Sequence, residues 1–142
     1  QTLFAEFERK AHDLYAAGQP LTATSLNKVY HDLEATYYDG IGIDADIDPE
    51  WSYIPHFYRA FYVYQYATGY SAAVAFSKKI LEEGKPAVDC YVNNFLCGGC
   101  SKDPIDLLAA AGVDMSTPQP VEDALTVFEE YLEQFTEQMN TK

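Results

Sequence analysis

Positive charge is scarce in this chain. Among 142 residues there are 9 Lys or Arg against 22 Asp or Glu, a formal net charge of −13. A nucleic-acid-binding face needs Lys and Arg clustered against phosphates, so that class is excluded. An anionic membrane surface is an equally poor partner. No apolar run approaches the ~20 residues needed to span a bilayer. The opening "QTLFAEFERK" lacks a basic start followed by an apolar stretch, so it is not a signal peptide. An initiator Met is also missing. The first residues read as turns of a helix already under way, which points to a piece cut from a longer protein.

Cysteine is sparse as well, with only Cys90, Cys97 and Cys100. An odd number excludes a complete disulfide framework, and reduced thiols in a cytoplasmic protein are the simpler expectation. No segment alternates apolar and polar residues for long enough to make a strand. There is no H-E-x-x-H, no P-loop and no G-x-S-x-G, hence no self-sufficient catalytic motif.

What is present is helical periodicity. Leu3, Phe4, Phe7, Ala11, Leu14 and Tyr15 form one apolar stripe, stopped by Gly18 and Pro20. Thr22 can cap a second helix with the face Leu26, Val29, Tyr30, Leu33 and Tyr37, ended by Gly40. Residues 39–50 are irregular. A long helix is expected from His56 or Phe57 to Glu83, closed by Gly84. Shorter ones are expected over 86–96 and 104–111. A last helix over 120–139 carries the face Val121, Leu125, Phe128, Leu132, Phe135 and Met139. The expected fold is all-α, with about six helices in one domain-sized chain.

Three local patterns have chemical readings. "DADIDP" places Asp44, Asp46 and Asp48 like the first ligands of a calcium loop. Pro49 stands where the sharp-turn Gly belongs and Pro55 where the bidentate Glu belongs, so a solvated acidic loop is the better reading. "CGGC" suits a redox dithiol or half of a zinc site. No strand precedes it and too few further ligands are available, so its glycines read as a helix stop. His12 and His31 sit within helices, and His31 reads as a surface residue.

The third pattern is the richest. "YIPHFYRAFYVYQYATGYSAA", residues 53–73, holds six of the twelve tyrosines and one of the three histidines. Read as a helix, Arg59, Tyr62, Tyr66, Gly69, Tyr70 and Ala73 share a stripe, while Tyr64 looks another way. Plain aromatic packing is one explanation. Yet each buried phenol needs a hydrogen-bond partner, and a polar, ligand-filled cleft would satisfy several at once.

The stretch "IPHFYRAFYVYQYATGYSAA" resembles oligoendopeptidase F of the M3, thimet-oligopeptidase-like family of bacterial zinc oligopeptidases. So do "QTLFAEFERKAHDL", "GQPLTATSLNKVYHDL", "YYDGIGID", "FLCGGCSKDPIDLLAAAGVDM" and "VFEEYLEQF", in the same order along the family's C-terminal part. The resemblance implies that residues 1–142 are the C-terminal portion of a catalytic domain, one helical lobe over a deep channel. It implies zinc (Zn) in the parent, held by an H-E-x-x-H region upstream of Gln1. This stretch would then bind no metal and be inactive alone. Short peptides are the implied substrates. His56, Tyr62 and Tyr66 are the implied catalytic donors to the oxyanion, with Tyr64, Arg59 and Tyr70 on the substrate. Tyr64 stays an alternate donor, since a Tyr at every second position leaves the alignment ambiguous by one step. "CGGC" departs from the family's pattern. A freestanding helical peptide-binding module and a small redox protein using Cys97 and Cys100 remain alternatives, and self-association of the isolated chain remains open.

Overall fold

A computed structural model describes residues 1–141. Its elements are helical throughout. They are α1 (Thr2–Ala16), α2 (Ala23–Tyr37), α3 (Tyr64–Glu83), α4 (Lys85–Cys90), α5 (Pro104–Ala110) and α6 (Gln119–Asn140). Short 3₁₀ turns occupy Ala45–Ile47, Glu50–Tyr53 and Pro55–Tyr58, and a π-helical turn occupies Tyr91–Leu96. Among the described residues there is no strand, and no helix is long and apolar enough to cross a membrane. The chain divides into two compact units, Gln1–Ala67 and the residues from Thr68 on.

The first unit is built on the α1–α2 hairpin. Thr22 caps α2 as its sequence suggests. Its Oγ1 accepts from the Ser25 N–H at 3.1 Å, and Ser25 Oγ accepts from the Thr22 N–H at 2.9 Å. Two otherwise orphaned amide donors are satisfied reciprocally. The apolar stripes then close on each other, burying Leu3, Phe7, Tyr30 and Leu33. Phe7 is the hub. Its ring lies 5.4 Å from Tyr30, 6.0 Å from Trp51 and 5.2 Å from Phe57, centroid to centroid. Trp51 Nε1 donates to Asn27 Oδ1 at 2.8 Å, which anchors the irregular segment to α2.

That segment is less solvated than its composition suggests. His31 Nδ1 lies 2.7 Å from Asp48 Oδ1, and the Tyr30 hydroxyl donates to Glu50. Asp44 and Asp46 stay exposed, as an acidic loop should. Asp48 and Glu50 are instead drawn down onto α2, so His31 is half-buried and partnered rather than a plain surface residue.

The second unit packs α3 onto α4, the π-helical turn and α5. Ala72 and Phe76 of α3 are buried with Ala111 and Val113. Phe76 contacts Tyr91 at 4.8 Å and Phe95 at 5.4 Å. Gly84 and Gly112, at φ +68° and +93°, close α3 and α5 in a conformation that other residues reach at a cost. "CGGC" does end its helical segment, and its thiols are free.

The long helix expected from residue 56 or 57 is shorter than its pattern. Pro55–Tyr58 is a 3₁₀ turn, Arg59 is extended, and α3 begins at Tyr64. The physical reason is Phe61. Its φ is +58°, outside the right-handed helix, and its N–H donates to Glu8 Oε1 at 2.6 Å instead of to a helical carbonyl. Glu8 sits buried in α1, so a tertiary hydrogen bond overrides the local periodicity. The longest helix is therefore α6, with 22 residues against 20 in α3, and Tyr62 lies outside both.

Candidate functional site

The bend at residues 59–63 does what the helical stripe was expected to do, by another route. Tyr62 is not helical, yet its ring meets Tyr66 in the first turns of α3, edge to face at 5.9 Å. Both meet His56. The imidazole stacks on Tyr62 at 5.8 Å with 17° between the planes, and meets the Tyr66 ring at right angles at 5.7 Å. The three expected donor residues are thus one ring cluster within the first unit. Arg59 carries its guanidinium 5.9 Å from the Tyr62 centroid, within cation–π range.

The polar atoms of this cluster are incompletely satisfied. His56 Nε2 is 3.4 Å from the Tyr66 hydroxyl, a long and weak contact. His56 Nδ1 is buried and has no protein partner. A buried imidazole nitrogen left unpaired costs about 1–3 kcal/mol. The Tyr66 hydroxyl is held above the ordinary phenol value, first by its hydrogen bond with Tyr62, then by desolvation and the Tyr62 charge. Tyr66 is accordingly a neutral phenol, able to donate, across the physiological range. Its side chain remains open to solvent.

The bend that creates this arrangement is fixed from below. Val63, next to Tyr62 in the chain, is fully buried, and the Phe61 ring stacks on His12 of α1 at 4.5 Å. Glu8 and His12, one turn apart on α1, thus hold the backbone that presents Tyr62. Neither was singled out for this role from sequence. The available signal was Glu8 itself, an acid directly beside the apolar stripe of α1. The remaining expected residues are placed differently. Tyr64 opens α3 and is half-exposed. Tyr70 belongs to the second unit and is largely exposed.

Metal ligation is a separate matter. Among the described residues no group of three or more His, Cys, Asp or Glu is arranged to hold a metal ion. Cys97 and Cys100 are exposed, and Cys90 is half-buried against the Asn94 amide and the Ala110 carbonyl.

The chain as a whole is similar to known proteins. The model of peptidase family M3 matches residues 1–127. Oligopeptidase PepF of Bacillus subtilis (strain 168) is 56% identical over 138 residues, covering 96% of this chain and 20% of that protein. The chromosomal oligoendopeptidase F of Lactococcus lactis subsp. cremoris is 41% identical over 136 residues, covering 93% and 22%. The crystal structure of oligoendopeptidase-F from Enterococcus faecium superposes with a TM-score of 0.94 at 42% identity, over 99% of this chain and 27% of that one. The chain spans about a fifth of the length of these curated relatives. With an all-helical fold that agrees along nearly its whole length, and a family match over most of its residues, this chain belongs to peptidase family M3.

Proposed function

We propose that these 142 residues are the C-terminal part of the catalytic domain of a zinc-dependent oligoendopeptidase that hydrolyses short peptides. Their contribution is the set of donors that His56, Tyr62 and Tyr66 present to the reacting carbonyl. The supporting observation is the ring cluster itself, with its unpartnered buried His56 Nδ1 and its neutral Tyr66 hydroxyl. On this reading the zinc ligands lie in an H-E-x-x-H region elsewhere in that longer enzyme, as the family resemblance implies.

Peptide hydrolysis passes through a tetrahedral species whose carbonyl oxygen gains negative charge. Donors that are already oriented stabilise that charge without reorganising. Tyr66 donates its hydroxyl hydrogen to the developing oxyanion. Tyr62 holds the Tyr66 ring edge to face. His56 stacks on Tyr62, which fixes both rings, and its Nε2, beside the Tyr66 hydroxyl, is offered to the same oxygen. Arg59 and Tyr64 are assigned to substrate positioning; the same role for Tyr70 rests on the family resemblance alone.

Such donors act mainly in the transition state, so their loss lowers turnover more than substrate binding. In the full-length enzyme, His56→Ala or Tyr66→Phe is expected to reduce kcat by roughly 100- to 1000-fold, with KM changed far less. Tyr58→Phe and Tyr91→Phe are the controls. The Tyr58 hydroxyl reaches only the Ser52 carbonyl, and the Tyr91 ring packs in the second core. Near-normal turnover in Tyr62→Phe, Tyr64→Phe and Tyr66→Phe alike would return the cluster to simple aromatic packing.

A further inference from the structure

Helix α6 is amphipathic, yet its apolar face is not covered. Val121, Leu125, Phe128, Leu132, Phe135 and Met139 are 42–65% exposed. Only Pro120 and Ala124, in its first two turns, are buried. The helix extends ~33 Å at 1.5 Å per residue, most of it beyond that attachment. Helical stability in water comes largely from packing an apolar face. This one has lost its packing partner.

The spacing of the face says what that partner is. The six residues follow one another at intervals of 4, 3, 4, 3 and 4. That is the 3.5-residue repeat of a helix packed along another helix, with Leu125, Leu132 and Met139 at one seam position and Val121, Phe128 and Phe135 at the other. A sheet or a flat surface would not require so strict a seam. Charge narrows the choice further. α6 contains six acidic residues and no basic one. Glu122 and Glu129 stand along one edge of the seam, where coiled-coil partners place opposite charges. A second copy would bring the same acidic helix to meet them, which is repulsive at short range.

One further observation points to the source. The structure matches oligoendopeptidase-F from Enterococcus faecium over 99% of this chain, in a polypeptide of which the match fills only 27%. The conformation is thus one that a much longer chain adopts. We infer that the seam of α6 is the docking strip for a helix of the same polypeptide lying outside these 142 residues, with its own apolar 3–4 seam and Lys or Arg facing Glu129. This rests on the proposal that the chain is part of a longer enzyme, but on none of the chemistry assigned to His56 or the tyrosines.

Amide hydrogen exchange on the full-length polypeptide tests it, with no activity readout. Amides over residues 125–139 should exchange more than 100-fold slower than an unstructured chain. Glu129→Lys, on the seam edge, should speed that exchange about tenfold, while Glu130→Lys, on the outer face, should change it less than twofold. Exchange near the unstructured rate in the unmodified protein would overturn the inference. So would equal effects of the two reversals. Light scattering checks the other occupant. Leu132→Glu should leave the mass of the full-length protein unchanged, and a dimer that this change splits would show that a second copy covers the seam. A protein that hydrolyses peptides but exchanges rapidly in α6 would refute this inference alone.

Discussion

At the scale of the residue, the decisive group is Glu8. It is buried in α1, and the N–H it accepts belongs to Phe61, more than fifty positions away, at a positive φ that aromatic residues rarely adopt. Glu8→Ala leaves that N–H without a partner and should destabilise the protein by about 1–3 kcal/mol. It should also release the bend, so Tyr62 loses its stacking on His56 and turnover of the full-length enzyme falls. Glu8→Gln keeps an acceptor oxygen and should cost much less on both counts. Equilibrium unfolding beside kcat for the two variants checks this. Tyr30 offers a second test. Its phenol is fully buried and donates to Glu50. Burial first, then that hydrogen bond and the charges of Glu50 and Glu34, hold its proton well above the ordinary value of 10.0. Below pH 10 the phenol is protonated in folded and unfolded chains alike. Above it the unfolded chain releases the proton and the folded one retains it. Stability should therefore be intact below that pH and fall as pH rises beyond it, by up to about 1.4 kcal/mol per pH unit from this group. Tyr30→Phe should flatten that decline in alkaline denaturation curves.

At the scale of the element, the close approach of α5 to the π-helical turn depends on a missing side chain. A Cβ at Gly98 would stand 2.7 Å from Leu107 Cδ2, 2.9 Å from the Asn94 carbonyl oxygen and 3.2 Å from that of Phe95. The leucine can turn aside, but the carbonyls cannot. Gly98→Ala should thus cost about 1–3 kcal/mol, measured as a lower midpoint of chemical unfolding. Thr22, by contrast, acts through its own turn and was readable from its neighbours. The same division runs through the helices. α1, α2, α5 and α6 begin and end close to where apolar spacing, caps, Gly and Pro place them, because those signals act within a few residues. The start of α3 was misread because its breaker is not a Pro or Gly in its own sequence. It is a carboxylate on another helix.

At the scale of the whole molecule, the chain is two compact units with two separate cores, one centred on Phe7 and Tyr30 and one on Phe76. Neither contains a cluster fit to hold a metal among the described residues. From the missing H-E-x-x-H motif, the isolated 142-residue chain is predicted to bind no stoichiometric zinc and to cleave no peptide, as metal analysis and a peptide-hydrolysis assay would show. One tightly bound zinc per chain, with cleavage abolished by a chelator, would contradict this. The all-helical class, the placement of most helices and the family were all legible in sequence. The first two follow from periodicity and caps, which local chemistry dictates, and the family from a resemblance that runs along the chain. The candidate site was legible only as a list. His56, Tyr62 and Tyr66 were nominated by their resemblance to a family, and a continuous helical stripe was expected to align the two tyrosines. Their actual meeting depends on a hydrogen bond between α1 and the bend before α3, and on the ring stacking of His12 with Phe61. The sequence, through its resemblance to a family, nominated the side chains proposed here as donors. Tertiary structure decided that they face one another, because residues far apart in the chain supply the atoms that bend the backbone there.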